Sequence, residues 1–132
     1  VNGLMGAAYG SAGERCMAIS VAVCVGKKTA ENLKTKLLEE TSKLNVGPYT
    51  DEKSDFGPLN NKAHYEKVLG YIDTGEKEGA KLLSDGRNMK LQGYENGYFV
   101  GPTIFEDVKP DMKIYKEEIL LFLQAMKKKL LK

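Results

Sequence analysis

Apolar positions along the chain switch between two spacings, and the switches mark the elements. Residues 18–25, Ala-Ile-Ser-Val-Ala-Val-Cys-Val, are an almost unbroken run of small and β-branched side chains. That pattern predicts a strand covered on both faces in a parallel sheet. A helical period follows, with Thr29 as cap, Glu31 in the first turn, and Ala30, Leu33, Leu37, Leu38 and Leu44 on one face. It predicts a helix ending near Leu44. The stretch from Asn45 to Pro58 holds Gly47, Pro48, Asp51, Asp55, Gly57 and Pro58, a density of turn formers that predicts a long surface loop. A second helix is predicted from Asn60 or Asn61, with Tyr65, Val68, Leu69 and Ile72 at i, i+3, i+4 and i+7, and with Gly75 and Gly79 as stop signals. Residues 80–84 predict a short strand closed by Asp85-Gly86, and Tyr98 to Phe105 a later one interrupted by Gly101-Pro102.

Two segments lie outside this alternation. Residues 1–16 place Gly3, Gly6, Gly10 and Gly13 among small residues, which permits close backbone approach in a helix or a loop. The tail from Ile119 runs Ile-Leu-Leu-Phe-Leu, then Gln-Ala-Met, then three lysines, and is expected to form a short helix with a basic end. The order β, α, α, β, β without internal repeat gives an α/β fold, a small and mostly parallel sheet with packed helices, too few strands to stand as a doubly wound domain.

Composition narrows the function. Twenty Lys and Arg against eighteen Asp and Glu leave a net charge of +2, far from the basic excess of a phosphate-binding surface, so no nucleic-acid partner is expected. Two cysteines and one histidine, Cys16, Cys24 and His64, are too few for a zinc site of the usual ligands and for a disulfide framework. No stretch reaches the roughly 18 apolar residues of a bilayer span, and no membrane partner is expected. A free thiol in a reducing compartment remains as the chemistry to weigh.

Cys16 stands in Gly13-Glu14-Arg15-Cys16-Met17, between the glycine-rich segment and the apolar run, where a turn could present its sulfur. Arg15 beside it would favour the thiolate, since nearby positive charge lowers a thiol pKa from about 8.5. The competing view is a small buried hydrophobe, the common fate of a free cysteine. Cys24, within the strand, reads as core. His64 reads as a helix-surface residue, with a Cys-His dyad as a distant alternative. No Gly-x-Gly-x-x-Gly follows a predicted strand and no Walker-type Gly-Lys-Ser/Thr occurs. Glu117 and Glu118 are adjacent acids that, on spacing alone, favour a solvated surface over a ribose or cation contact.

Gly13-Glu14-Arg15-Cys16 resembles the Gly-Gln-x-Cys nucleophile motif of the aldehyde dehydrogenase superfamily. Further similar segments follow in order: Gly57-Pro58; Gly70-Tyr71-Ile72-Asp73-Thr74-Gly75 with Glu78-Gly79-Ala80-Lys81-Leu82; Gly97 through Phe105; and Tyr115-Lys116-Glu117-Glu118-Ile119. Arg15-Cys16-Met17-Ala18, Asp85-Gly86-Arg87 and Gly93-Tyr94-Glu95-Asn96-Gly97 look most like its CoA-acylating, methylmalonate-semialdehyde branch. The resemblance covers residues 1–119, read as part of a catalytic domain, and leaves 120–132 as a tail off the family pattern.

The resemblance implies a mechanism. Cys16 attacks an aldehyde, donors that include the Cys16 amide hold the oxyanion, NAD takes hydride to leave a thioester, and CoA takes the acyl group. It further implies that Arg15 contacts the substrate and that Glu118 contacts the nicotinamide-side ribose of NAD. The family continues Glu-Glu-Ile-Phe-Gly-Pro, whereas Leu120, Leu121 and Phe122 follow Ile119 here. The cofactor domain, the oxyanion Asn and a general base have no counterpart in the chain. A catalytic-domain fragment, inactive alone, is therefore the expectation, with a binding or assembly module as the alternative. Its uncovered apolar faces imply a homo-oligomer, and the family implies a cytoplasmic location, or the mitochondrial matrix in a eukaryote.

Overall fold

The computed structural model describes residues 1–117, Ile119 and, as backbone only, 123–129. The chain begins with helix α1 (Asn2–Tyr9) and a tight turn over Gly10–Gly13, followed by strand β1 (Val21–Val25) and helix α2 (Lys27–Thr41). Helix α3 (Lys62–Lys77), strands β2 (Lys81–Ser84) and β3 (Thr103–Glu106), helix α4 (Lys113–Lys116) and strand β4 (Leu123–Lys129) complete it. The sheet order is β1-β4-β3-β2. β4 runs parallel to both β1 and β3, while β2 is antiparallel to β3. The sheet is thus mostly parallel, as the α/β expectation requires.

The helix expected for the tail does not form, because 123–129 is a strand. Val21 pairs with Ala125 and Thr103 with Leu123, so β4 fills the gap between two strands that would otherwise be open on those edges. Backbone hydrogen bonds to two neighbours outweigh the local helical preference of a seven-residue segment.

β1 is shorter than its apolar run and is not covered on both faces. It is the outer strand of the described sheet, and its burial alternates: Cys24 is buried, while Val23 and Val25 are 53% and 48% exposed. An apolar run cannot report which neighbours are present. α2 starts two residues before Thr29, with Gly26 at its N-cap in a φ of +89° that favours glycine, and it ends at Thr41 rather than Leu44. The later strand is confined to Thr103–Glu106, because at Gly101 the backbone turns to the other loop and its amide donates to the Gly86 carbonyl (2.9 Å).

α3 follows its spacing. Asn61 caps it, its side chain accepting from the His64 amide at 2.9 Å, and Val68 and Ile72 are fully buried. Gly75 is not a stop: it lies inside the helix where a Cβ would sit 2.9 Å from Ile114 Cδ1 and 3.0 Å from Phe105 Cζ. The missing side chain is what lets α3 approach β3 and α4. Gly79, at φ +92°, follows the helix end as expected. The 45–58 loop is clasped rather than open. A parallel bridge joins Val46 to Phe56, Asn45 donates to Asp55 Oδ2 at 2.8 Å, and both Val46 and Phe56 are buried. One core runs through Tyr9, Leu37, Val68, Ile72, Ile104 and Phe105, and all four residues of β3 are buried. These include Glu106, whose carboxylate lies 3.4 Å from Lys34 Nζ and 3.8 Å from Lys81 Nζ.

Candidate active site

The segment that carries Cys16 is built on an unusual backbone. Ser11, Ala12 and Gly13 take φ of 52°, 53° and 68° in succession, so two non-glycine residues adopt the left-handed conformation side by side. That costs roughly 1–2 kcal/mol per residue relative to the right-handed helix. The surroundings enforce it, since Ala12 and Gly13 are buried and the Glu14 amide donates to the Ser11 carbonyl at 2.9 Å. Such strain collects where a chain must present a group in one direction.

The next four residues form a second turn, closed by the Ala18 amide on the Arg15 carbonyl at 3.1 Å, with Cys16 and Met17 at its tip. The Ile19 amide then donates to Ala7 on α1 at 3.2 Å, fixing where the chain leaves for β1. Cys16 is exposed and Cys24 is buried, which separates the two thiols as their sequence contexts implied. Burial pushes the Cys24 thiol above its ordinary range. Among the described residues no acceptor takes the Cys16 amide hydrogen.

Arg15 is exposed and folds back along its own segment. Its Nε donates to Ser11 Oγ at 3.2 Å, and its guanidinium lies over Gly10, where a Cβ would be 3.1 Å from Cζ. Glu14 points the other way: its Oε1 lies 3.2 Å from Nε2 of His64 on α3, and both side chains are mostly buried. This contact had one sequence signal, Glu14 standing where the resemblance has Gln, but nothing local to name its partner fifty residues on. His64 is therefore not simply a helix-surface residue. Glu118 lies outside the described residues. Its neighbour Glu117 accepts a hydrogen bond from the Tyr71 hydroxyl, which holds that hydroxyl above its usual pKa range. Lys67 and Lys113 flank the Tyr71 ring at 5.7 and 5.6 Å.

A second charged cluster is structural. Arg87 binds Asp85 through Nε at 2.9 Å and Nη2 at 2.6 Å, Asp73 through Nη1 at 2.6 Å and Glu76 through Nη2 at 2.6 Å. Its hydrogen bonds hold the Asp85 carboxyl below the usual range. The cluster joins α3 to the turn after β2. Among the described residues no group of three or more His, Cys, Asp or Glu side chains could hold a metal ion, and no helix is long and apolar enough to cross a membrane.

The chain that carries this cysteine is similar to known proteins in both sequence and fold. The chain belongs to the aldehyde dehydrogenase family, whose sequence model matches residues 1–121. It is 54% identical over 119 residues to malonate-semialdehyde dehydrogenase of Pseudomonas aeruginosa, covering 90% of this chain and 24% of that protein. Over the same span it is 50% identical to the acylating mitochondrial methylmalonate-semialdehyde/malonate-semialdehyde dehydrogenase of Bos taurus, covering 22% of it. Among solved structures, one described as a methylmalonate-semialdehyde dehydrogenase of Sinorhizobium meliloti complexed with NAD superposes with a TM-score of 0.96 at 53% identity, over 98% of this chain and 26% of that one. The chain thus spans about a quarter of the length of these relatives. The fold is a partial aldehyde dehydrogenase domain.

Proposed function

We propose that this chain is the nucleophile-bearing part of an NAD-dependent, CoA-acylating semialdehyde dehydrogenase, with Cys16 as nucleophile and a carboxylated aldehyde as substrate. The observation that carries this reading is the exposed Cys16 at the tip of a turn that directly follows three successive left-handed residues. Identity of 50% or more to semialdehyde dehydrogenases supports the substrate class.

The Cys16 thiolate adds to the aldehyde carbon, and the Cys16 amide, which has no other acceptor among the described residues, donates to the oxygen as negative charge develops. Losing one such donor costs about 3 kcal/mol of barrier in comparable sites. Arg15, exposed and held over Gly10 and Ser11, would offer a contact for a substrate carboxylate. The described residues do not build a dinucleotide cradle. The β1–α2 turn is Val25-Gly26-Lys27 with a single glycine, and the one resemblance-assigned NAD contact, Glu118, lies outside them. When bound, NAD would accept the hydride. The chain supplies the acylation half of the chemistry and is inactive by itself as a dehydrogenase. A mitochondrial location would follow the Bos taurus relative, whose name places that protein in the mitochondrion, and a cytoplasmic one would suit a bacterial chain.

The acyl step can be tested without NAD by running it backward. Propionyl-CoA, a thioester probe that lacks the substrate's carboxylate and so reads the acyl transfer alone, should pass its acyl group to the Cys16 sulfur and release free CoA. Mass mapping should place one propionyl group on Cys16, none on Cys24, and none in Cys16→Ser. Equal acylation of the two cysteines, or none, would overturn the assignment.

A further inference from the structure

Cys16 lies two residues from a carboxylate, and that carboxylate is not left beside it. Glu14 is turned toward α3, where its Oε1 meets His64 Nε2 at 3.2 Å, with side-chain exposures of 27% and 14%. We infer that His64 is a positioning residue for the nucleophile turn, acting through Glu14. The inference rests on the proposed nucleophilic role of Cys16.

The argument is one of charge placement. A thiolate is disfavoured by a like charge close by and favoured by an opposite one. Both kinds stand next to Cys16 in the sequence, Glu14 and Arg15. The structure sends them to different anchors, Arg15 to Ser11 Oγ at 3.2 Å and Glu14 to His64. Without His64, Glu14 has no anchor to hold it away from the thiol, and a carboxylate free to swing back would raise the cost of the thiolate.

His64 is well placed to hold it. Its own amide is fixed by Asn61 at 2.9 Å, so the imidazole is mounted on the capped first turn of α3. Lys62 and Glu66 on that helix face each other at 3.6 Å, α1 carries no charged side chain, and Met17 to Val25 are uncharged. Glu14 is therefore the one side-chain carboxylate in residues 1–25, and its placement is the anionic contribution this segment makes beside its own thiol.

Thiol alkylation by iodoacetamide reads this directly in the full chain, with no need for dehydrogenase turnover. In His64→Ala the Cys16 rate at pH 7 should fall about three- to tenfold, with its pH profile displaced upward, as a nearby like charge displaces a thiol. Buried Cys24 serves as the internal monitor of the fold and should label as slowly as before. His64→Gln, whose amide can still donate to Glu14, should keep the original rate. Glu14→Gln added to His64→Ala should restore it, because the anion is gone. An unchanged Cys16 rate in His64→Ala would overturn the inference, and so would a parallel rise in Cys24 labelling, which marks a loosened fold. If Cys16 responds as expected but is never acylated by propionyl-CoA, the positioning stands and the enzymatic reading fails.

Discussion

The two cysteines show how much a few residues of chain can change a side chain's chemistry. Cys24 faces inward from β1 and its thiol is pushed up by burial. A thiol with a raised folded pKa is protonated in the native state at pH values where the unfolded chain has begun to ionise. Its contribution to stability is therefore intact below the ordinary thiol range, near 8.5, and is lost as pH climbs above it. Urea midpoints at pH 7 and pH 9.5 should show a smaller alkaline loss in Cys24→Ala than in the parent chain. At pH 7 the same variant should be less stable, by an amount on the order of 1 kcal/mol for the small volume removed. Of the candidate site, the exposure of Cys16 was legible because it stands outside the apolar run and next to Arg15. The Glu14–His64 contact was not, since a sequence reports spacing along one element and not which side chains meet across two.

Helix α3 offers a test in which two glycines of one helix should give opposite signs. At Gly70 nothing lies within 4 Å of a built Cβ, so Gly70→Ala should stabilise by about 0.5–1 kcal/mol through helix propensity. At Gly75 the same change meets Ile114 and Phe105 at 2.9 and 3.0 Å. Overpacking of that kind costs about 1–3 kcal/mol and should outweigh the propensity gain. Denaturant midpoints of both variants check the signs together. α3 could be read from its apolar spacing because a helix is a local structure. The tail strand could not, because what makes 123–129 extended is the pair of strands it joins, β1 and β3, far away in sequence. Strand β3 was overextended for a similar reason: the apolar run continues back through Val100 and Phe99, but Gly101 is committed to Gly86.

Among the described residues, an apolar patch stays open at and just before β1. Met17 is 86% exposed, and Ile19, Val23 and Val25 also lie at the surface along the outer strand. An uncharged strand at the edge of a sheet is a template for another chain. Self-association is therefore expected, and sedimentation across a hundredfold dilution should show a species that shifts with concentration. A single monomer throughout would show that this face is content in water.

Strand β4 also sets a schedule. It follows every other described element in the chain, yet it stands between β1 and β3. During synthesis β1 leaves the ribosome about a hundred residues before its neighbour exists, an interval of roughly 5–20 s at ordinary elongation rates. For that time Val21–Val25 is a nascent apolar strand without its mate, in the species most open to capture by chaperones or by another nascent copy. A slow codon or a pause placed ahead of β4 lengthens the exposure, so the yield of folded protein depends on translation speed as well as on sequence.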